Sequence, residues 1–132
     1  MKVRWTNVSL RLRITPGELE ALEAGKPVVE RLRFGEGQGW EIAIIPSDAT
    51  TDLAWVGGTV QIALSLADCC RLSSPEVEGI YFRRAIEPLI RYFIEKDFPC
   101  AHLRAPDAME PISDTFVPPT AFEARKEIPH AD

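Results

Sequence analysis

The sequence predicts an α+β domain: a curled, mainly antiparallel sheet of about six to eight strands with two short helices. Two observations lead there. Segments that alternate apolar and polar residues recur along the chain, separated by glycine-rich turns. Only two stretches carry the signals that start and stop a helix. A parallel sheet requires repeated strand–helix–strand crossovers, and two helices are too few for that. A length of 132 residues with 45% hydrophobic residues suits one domain with its own core.

Each element has its own warrant. Met1-Lys2-Val3-Arg4-Trp5 already alternates, and Val8 to Ile14 alternates as a strand with one buried face does. Thr15-Pro16-Gly17-Glu18 then starts a helix. Thr15 caps it, Pro16 suits its first position, Glu18 completes a capping box, Leu19 and Leu22 form its apolar side, and Gly25 ends it. Val28 to Phe34 and Trp40 to Ile45 read as strands joined by Gly35-Glu36-Gly37-Gln38-Gly39. A phosphate-cradling glycine loop must open a helix, and strand residues follow here, so these glycines form a hairpin turn. Asp52 to Val56 and Thr59 to Leu64 flank the two-residue turn Gly57-Gly58. Ser65 caps a second helix, Leu66 to Leu72, stopped by Ser73-Ser74-Pro75, and Gly79 to Arg84 is another strand. Residues 86–96 fit either a helix or a strand: Ile86, Leu89, Ile90, Phe93 and Ile94 have helical spacing, whereas Tyr92-Phe93-Ile94 suits a buried strand. No internal repeat is evident.

Three motifs occur in order: "SLRLRIT" leading into T-x-x-E (Ser9 to Glu18), Glu95-Lys96-Asp97-Phe98-Pro99-Cys100, and the D-x-F-x-x-P element Asp114-Thr115-Phe116-Val117-Pro118-Pro119. In this the chain resembles an uncharacterised family of small bacterial proteins, a domain of unknown function. The resemblance implies a strand for residues 89–96 and supplies no mechanism.

The formal net charge of −5 argues against nucleic acid as a partner, since that needs a basic surface. Three cysteines, two of them adjacent, form no disulfide framework, and neither a membrane-spanning run nor a leader-like segment is seen. A cytoplasmic protein without membrane association is therefore expected. Its partner would be an unknown small anion or another protein, with a homodimer left open.

Glu95 to His102 concentrates reactive groups. On a strand, Arg91, Phe93 and Glu95 share one face and Tyr92, Ile94 and Lys96 the other, so Glu95 and Lys96 point apart. Asp97 then accepts backbone N–H bonds in a turn, Phe98 plugs the core and Cys100 packs as a small hydrophobe. Cys100 with His102 lacks an orienting third group and an oxyanion donor. Cys69 and Cys70, adjacent on a helix, diverge by about 100° and chelate poorly. We expect no catalytic group, no cofactor and no metal.

The arginines are the remaining lead. Arg11 and Arg13 share the polar face of one strand, and Arg31 and Arg33 that of another. If those strands are neighbours, four guanidinium groups crowd one sheet face and call for carboxylates or a bound anion. The expected function is thus a non-catalytic binding or interaction module. The alternative is a phosphate- or carboxylate-binding protein or enzyme using Arg11, Arg13, Arg31 and Arg33. The domain spans residues 1–132, with 98–132 a proline-rich tail. The tail should dock through Phe98, Phe116 and Phe122, place Glu110 and Asp114 near the basic face, and be disordered beyond Arg125.

Overall fold

β1 (Lys2–Trp5), β2 (Ser9–Ile14), α1 (Pro16–Glu23), β3 (Val28–Gly35), β4 (Gln38–Ser47), β5 (Asp52–Val56), β6 (Thr59–Ser65), α2 (Leu66–Ser73), β7 (Gly79–Arg83) and β8 (Arg91–Lys96) follow in that order in the computed structural model, which describes residues 1–99 and 115–119. The α+β class and both helices are as expected. The ambiguous segment is a strand from Arg91, because Tyr92 and Ile94 enter the core at alternate positions.

The sheet is not the single antiparallel one. Two four-stranded sheets form, sheet A in the order β1-β2-β8-β7 and sheet B in the order β3-β4-β6-β5, neither closed nor strongly curled. Each is mixed: the outer pairs are antiparallel hairpins, while the central pairs β2–β8 and β4–β6 run parallel. The crossover rule governs strands joined directly by one connection. Here each parallel pair unites two separate hairpins, so a parallel ladder forms without any strand–helix–strand unit.

The same order contains a repeat that the sequence hides. Each half of the chain is hairpin, helix, hairpin. In β1–β2, Lys2 opposes Arg13 and Trp5 opposes Leu10; in β5–β6, Asp52 opposes Ala63 and Trp55 opposes Val60, each residue lying 50 positions further on. The helices Pro16–Glu23 and Leu66–Ser73 and the parallel registers Ser9/Arg91 and Thr59/Glu41 follow the same offset. Sheet A takes the first hairpin of the first half and the second hairpin of the second half, and sheet B takes the other two.

Helix starts repeat too. Thr15 Oγ1 accepts from the Glu18 N–H, and Ser65 Oγ accepts from the Asp68 N–H. Each N3 carboxylate is then held by the residue that opens the half: the Met1 amine donates to Glu18, and the Thr51 hydroxyl donates to Asp68. One hydrophobic cluster joins both sheets and both helices, with Leu12, Ile14, Leu22, Ile44, Ile62, Leu72 and Ile94 fully buried.

The molecule has two poles. The Arg91 N–H donates to the Val8 carbonyl, so the β1–β2 turn meets the segment between β7 and β8. Trp5 and Trp40 pack with ring centres 5.4 Å apart, which brings sheet B's turns to the same end. Four hairpin turns therefore lie at one pole and the two helix starts, Thr15 and Ser65, at the other.

Of the tail, Thr115–Pro119 is described. The Phe116 N–H donates to the Asp97 carbonyl at 3.0 Å, and its ring lies 6.0 Å from that of Phe98. Phe122, Glu110, Asp114 and the stretch beyond Arg125 lie outside the described residues.

Candidate functional site

Alternation decides what each sheet shows to solvent. In sheet A, Leu10, Leu12, Ile14, Ile80, Tyr92 and Ile94 point inward, which turns their neighbours outward. Three rows result. At the turn end stand Ser9, Arg91 and Arg83; in the middle Arg4, Arg11, Phe93 and Tyr81; at the helix end Lys2, Arg13, Glu95 and Gly79. Six of these are cationic and one, Glu95, is anionic.

The pairing is unfavourable. Lys2 directly opposes Arg13, Arg4 opposes Arg11, and Arg83 opposes Arg91. Like charges in such positions destabilise a sheet, each by a few tenths of a kcal/mol up to about 1. Relief is partial. Arg11 Nε lies 2.7 Å from Glu95 Oε1, but neither atom makes an aligned hydrogen bond, so this is an ion pair by proximity alone. The Arg11 guanidinium also sits 5.3 Å from the Phe93 ring centre. Lys2 Nζ reaches the Asp97 carboxylate at 3.0 Å. Arg4, Arg13, Arg83 and Arg91 make no ion pair among the described residues.

Two hollows open among these groups. Lys2, Val3, Arg4, Arg11 and Arg13 line one of about 100 Å³. Val8, Arg83, Leu89 and Arg91 line the other, of about 280 Å³. Between them Tyr81 and Phe93 meet edge to face, with ring centres 5.4 Å apart. Burial pushes the Tyr81 hydroxyl above its usual range, helped by the Glu95 and Glu78 carboxylates and opposed by Arg11.

Sheet B presents the equivalent positions with different chemistry. Its rows read Val56, Thr59, Glu41 and Arg31; then Ala54, Gln61, Ala43 and Val29; then Asp52, Ala63 and Ile45. Where sheet A opposes Arg83 to Arg91, sheet B opposes Arg31 to Glu41 in an ion pair. The Arg31 hydrogen bond holds the Glu41 carboxyl below its usual range; burial opposes this and Thr59 assists.

The arginines singled out from sequence are thus divided. Arg11 and Arg13 lie on sheet A, Arg31 and Arg33 on sheet B, because β2 pairs with β8 and β3 with β4. Sequence reasoning missed Lys2, Arg4, Arg83 and Arg91. Each stands at an alternate position of its strand, the same signal that marked Arg11 and Arg13, but their convergence depends on the distant β2–β8 pairing.

Elsewhere the Glu95 to Asp97 stretch resolves as structure. Glu95 and Lys96 point apart, and Lys96 is only 6% exposed, donating to the Ser74 carbonyl at 2.7 Å. Desolvation pushes its ammonium below the usual range. Among the described residues the Asp97 carboxylate pairs with Lys2, while the Asp97 backbone serves Ile14 and Phe116; the N–H groups of the turn after Pro99 lie outside the described residues. Cys69 is buried and Cys70 exposed, consistent with their divergence on α2. Among the described residues no group of three or more His, Cys, Asp or Glu could hold a metal ion. Cys100 and His102 lie outside the described residues.

The model of a family described only as a family of unknown function, DUF7009, matches residues 1–119. No curated protein and no solved structure matches the chain.

Proposed function

The chain belongs to the DUF7009 family, whose function is unknown, and we propose that it is a non-catalytic binding module whose ligand is anionic and lies on the outer face of sheet A. One observation carries this reading. The scaffold is built twice, and sheet B folds with an outer face that is nearly neutral, so the cations of sheet A are not a requirement of the backbone. They oppose one another across the strands, and a bound polyanion would relieve that repulsion. Guanidinium forks suit phosphate and carboxylate oxygens, and Arg4, Arg13, Arg83 and Arg91 have theirs free of ion pairs among the described residues. Forks and rings hold a ligand and do not by themselves break bonds.

The test is a thermal-shift series with polyphosphate, phosphate monoesters and dicarboxylates, since a ligand that binds only the native state raises its melting temperature. Polyphosphate should give the largest rise, reduced by added salt. No rise with any of these anions would remove the anion and leave a module for protein partners.

A further inference from the structure

We infer that the pole carrying the four hairpin turns docks on the surface of an anionic phospholipid bilayer, through apolar side chains on the turns and the arginine-lined hollow between them. No described helix is long and apolar enough to cross a membrane. Docking at the surface needs none.

Apolar exposure is concentrated at this pole. Of the twelve large hydrophobic residues left exposed among the described residues, eight lie on or beside the four turns, among them Trp5, Leu32, Phe34, Trp55, Ile86 and Leu89. Phe34 is 72% exposed, Ile86 69% and Trp55 67%. Scattered single exposures need no explanation, but a cluster of this kind marks a contact surface. All three tryptophans, Trp5, Trp40 and Trp55, stand here, and amphipathic indoles favour the boundary between headgroups and acyl chains.

Charge selects the occupant. Arg33, Arg83, Arg84 and Arg91 share the pole and make no ion pair among the described residues, against the carboxylates Glu36 and Glu87. A second copy docked about a twofold axis would set this same cationic surface against itself. An anionic lipid surface supplies the opposite charge. The 280 Å³ hollow between Arg83 and Arg91 is walled by Val8 and Leu89, so a phosphoryl group would meet two guanidinium forks while its ester chain meets aliphatic carbon.

Vesicle co-sedimentation tests this, with phosphatidylcholine alone and with phosphatidylcholine containing phosphatidylglycerol. The protein should sediment with the anionic vesicles, less so at high salt, and its tryptophan emission should shift to the blue. Arg83→Ala and Arg91→Ala should each lower partitioning by about fivefold. Phe34→Ser and Trp55→Ser should lower it without changing the response to soluble polyphosphate, which separates this inference from the anion reading of sheet A. Folding of each variant is checked by its far-ultraviolet spectrum. Absence of binding to anionic vesicles overturns the inference, as does binding that survives Phe34→Ser and Trp55→Ser. Lipid-independent dimerisation lost in those variants overturns it in favour of a second copy.

Discussion

Sheets A and B share one backbone and differ in what they show to solvent. Both have two hairpins, a parallel central pair and a helix leaving an inner strand, yet one outer face carries six cations and one carboxylate while the other sets Arg31 and Arg33 against Glu41 and Asp52. The inner faces differ far less: Leu10, Leu12 and Ile14 correspond to Val60, Ile62 and Leu64. Duplication therefore separates two kinds of information. What both halves keep, namely the apolar inner rows and the capped helix starts, builds the fold. What only sheet A has, the guanidinium rows drawn from both halves and the Tyr81–Phe93 pair, is free to serve something else.

The largest effect should appear where the halves agree. Leu12 and Ile62 are equivalent and fully buried. Leu12→Ala and Ile62→Ala should each cost about 2–5 kcal/mol in urea unfolding, by lost transfer energy and the cavity left behind. A markedly smaller cost for one of them would break the equivalence of the two halves. The caps come next. Thr15→Ala and Ser65→Ala each remove a side chain that accepts from an N3 amide, and each should cost about 0.5–2 kcal/mol.

These caps also mark how far sequence reading reached. Thr15-Pro16-Gly17-Glu18 and Gly57-Gly58 were legible because their signals sit within a few residues. The pairing of β2 with β8 was not, since Ser9 and Arg91 lie far apart in the chain and no turn residue announces a parallel partner. Local pattern therefore leaves open whether Arg11 lies beside Arg31, and the β2–β8 pairing sets it beside Phe93. The repeat escaped for a related reason. Trp5 with Trp55, Leu22 with Leu72 and Ile44 with Ile94 are identities, but most equivalent pairs, such as Thr15 with Ser65 or Glu18 with Asp68, preserve only a physical role.

Smaller effects sharpen the contrast between the outer faces. Arg91→Glu gives sheet A the arrangement that Arg31 and Glu41 have in sheet B, and should stabilise the protein by about 0.2–1 kcal/mol. Glu41→Arg makes the reverse change and should destabilise it by a similar amount. Equal signs in thermal unfolding would show that cross-strand charge does not distinguish the sheets.

The helix anchors should titrate in opposite directions. Burial disfavours the Met1 ammonium, but Glu18 and Glu30 outweigh it and raise its pKa above the ordinary value of 8.0. Its stabilisation is full below pH 8.0 and lost as pH rises through the raised value. For Asp68, burial is outweighed by hydrogen bonds from Thr51, Ser65 and Arg71, which lower its pKa below 3.8. Its stabilisation is present above pH 3.8 and lost as pH falls through the lowered value. Urea midpoints across pH 7 to 11 should fall for the native chain, and blocking the amine by acetylation should flatten that limb.

The most direct measurement replaces the middle and helix-end arginines of β1–β2 with the residues that stand at equivalent positions in β5–β6: Arg4→Ala, Arg11→Gln and Arg13→Ala, matching Ala54, Gln61 and Ala63. Melting temperature is read for this triple variant and the native chain, with and without polyphosphate. The expected result is a variant that melts at or above the native temperature without ligand and has lost most of the polyphosphate-induced rise. A variant that fails to fold would make those arginines part of the scaffold, and one that keeps the full rise would remove this face as the anion site; either contradicts the division of labour between the two sheets.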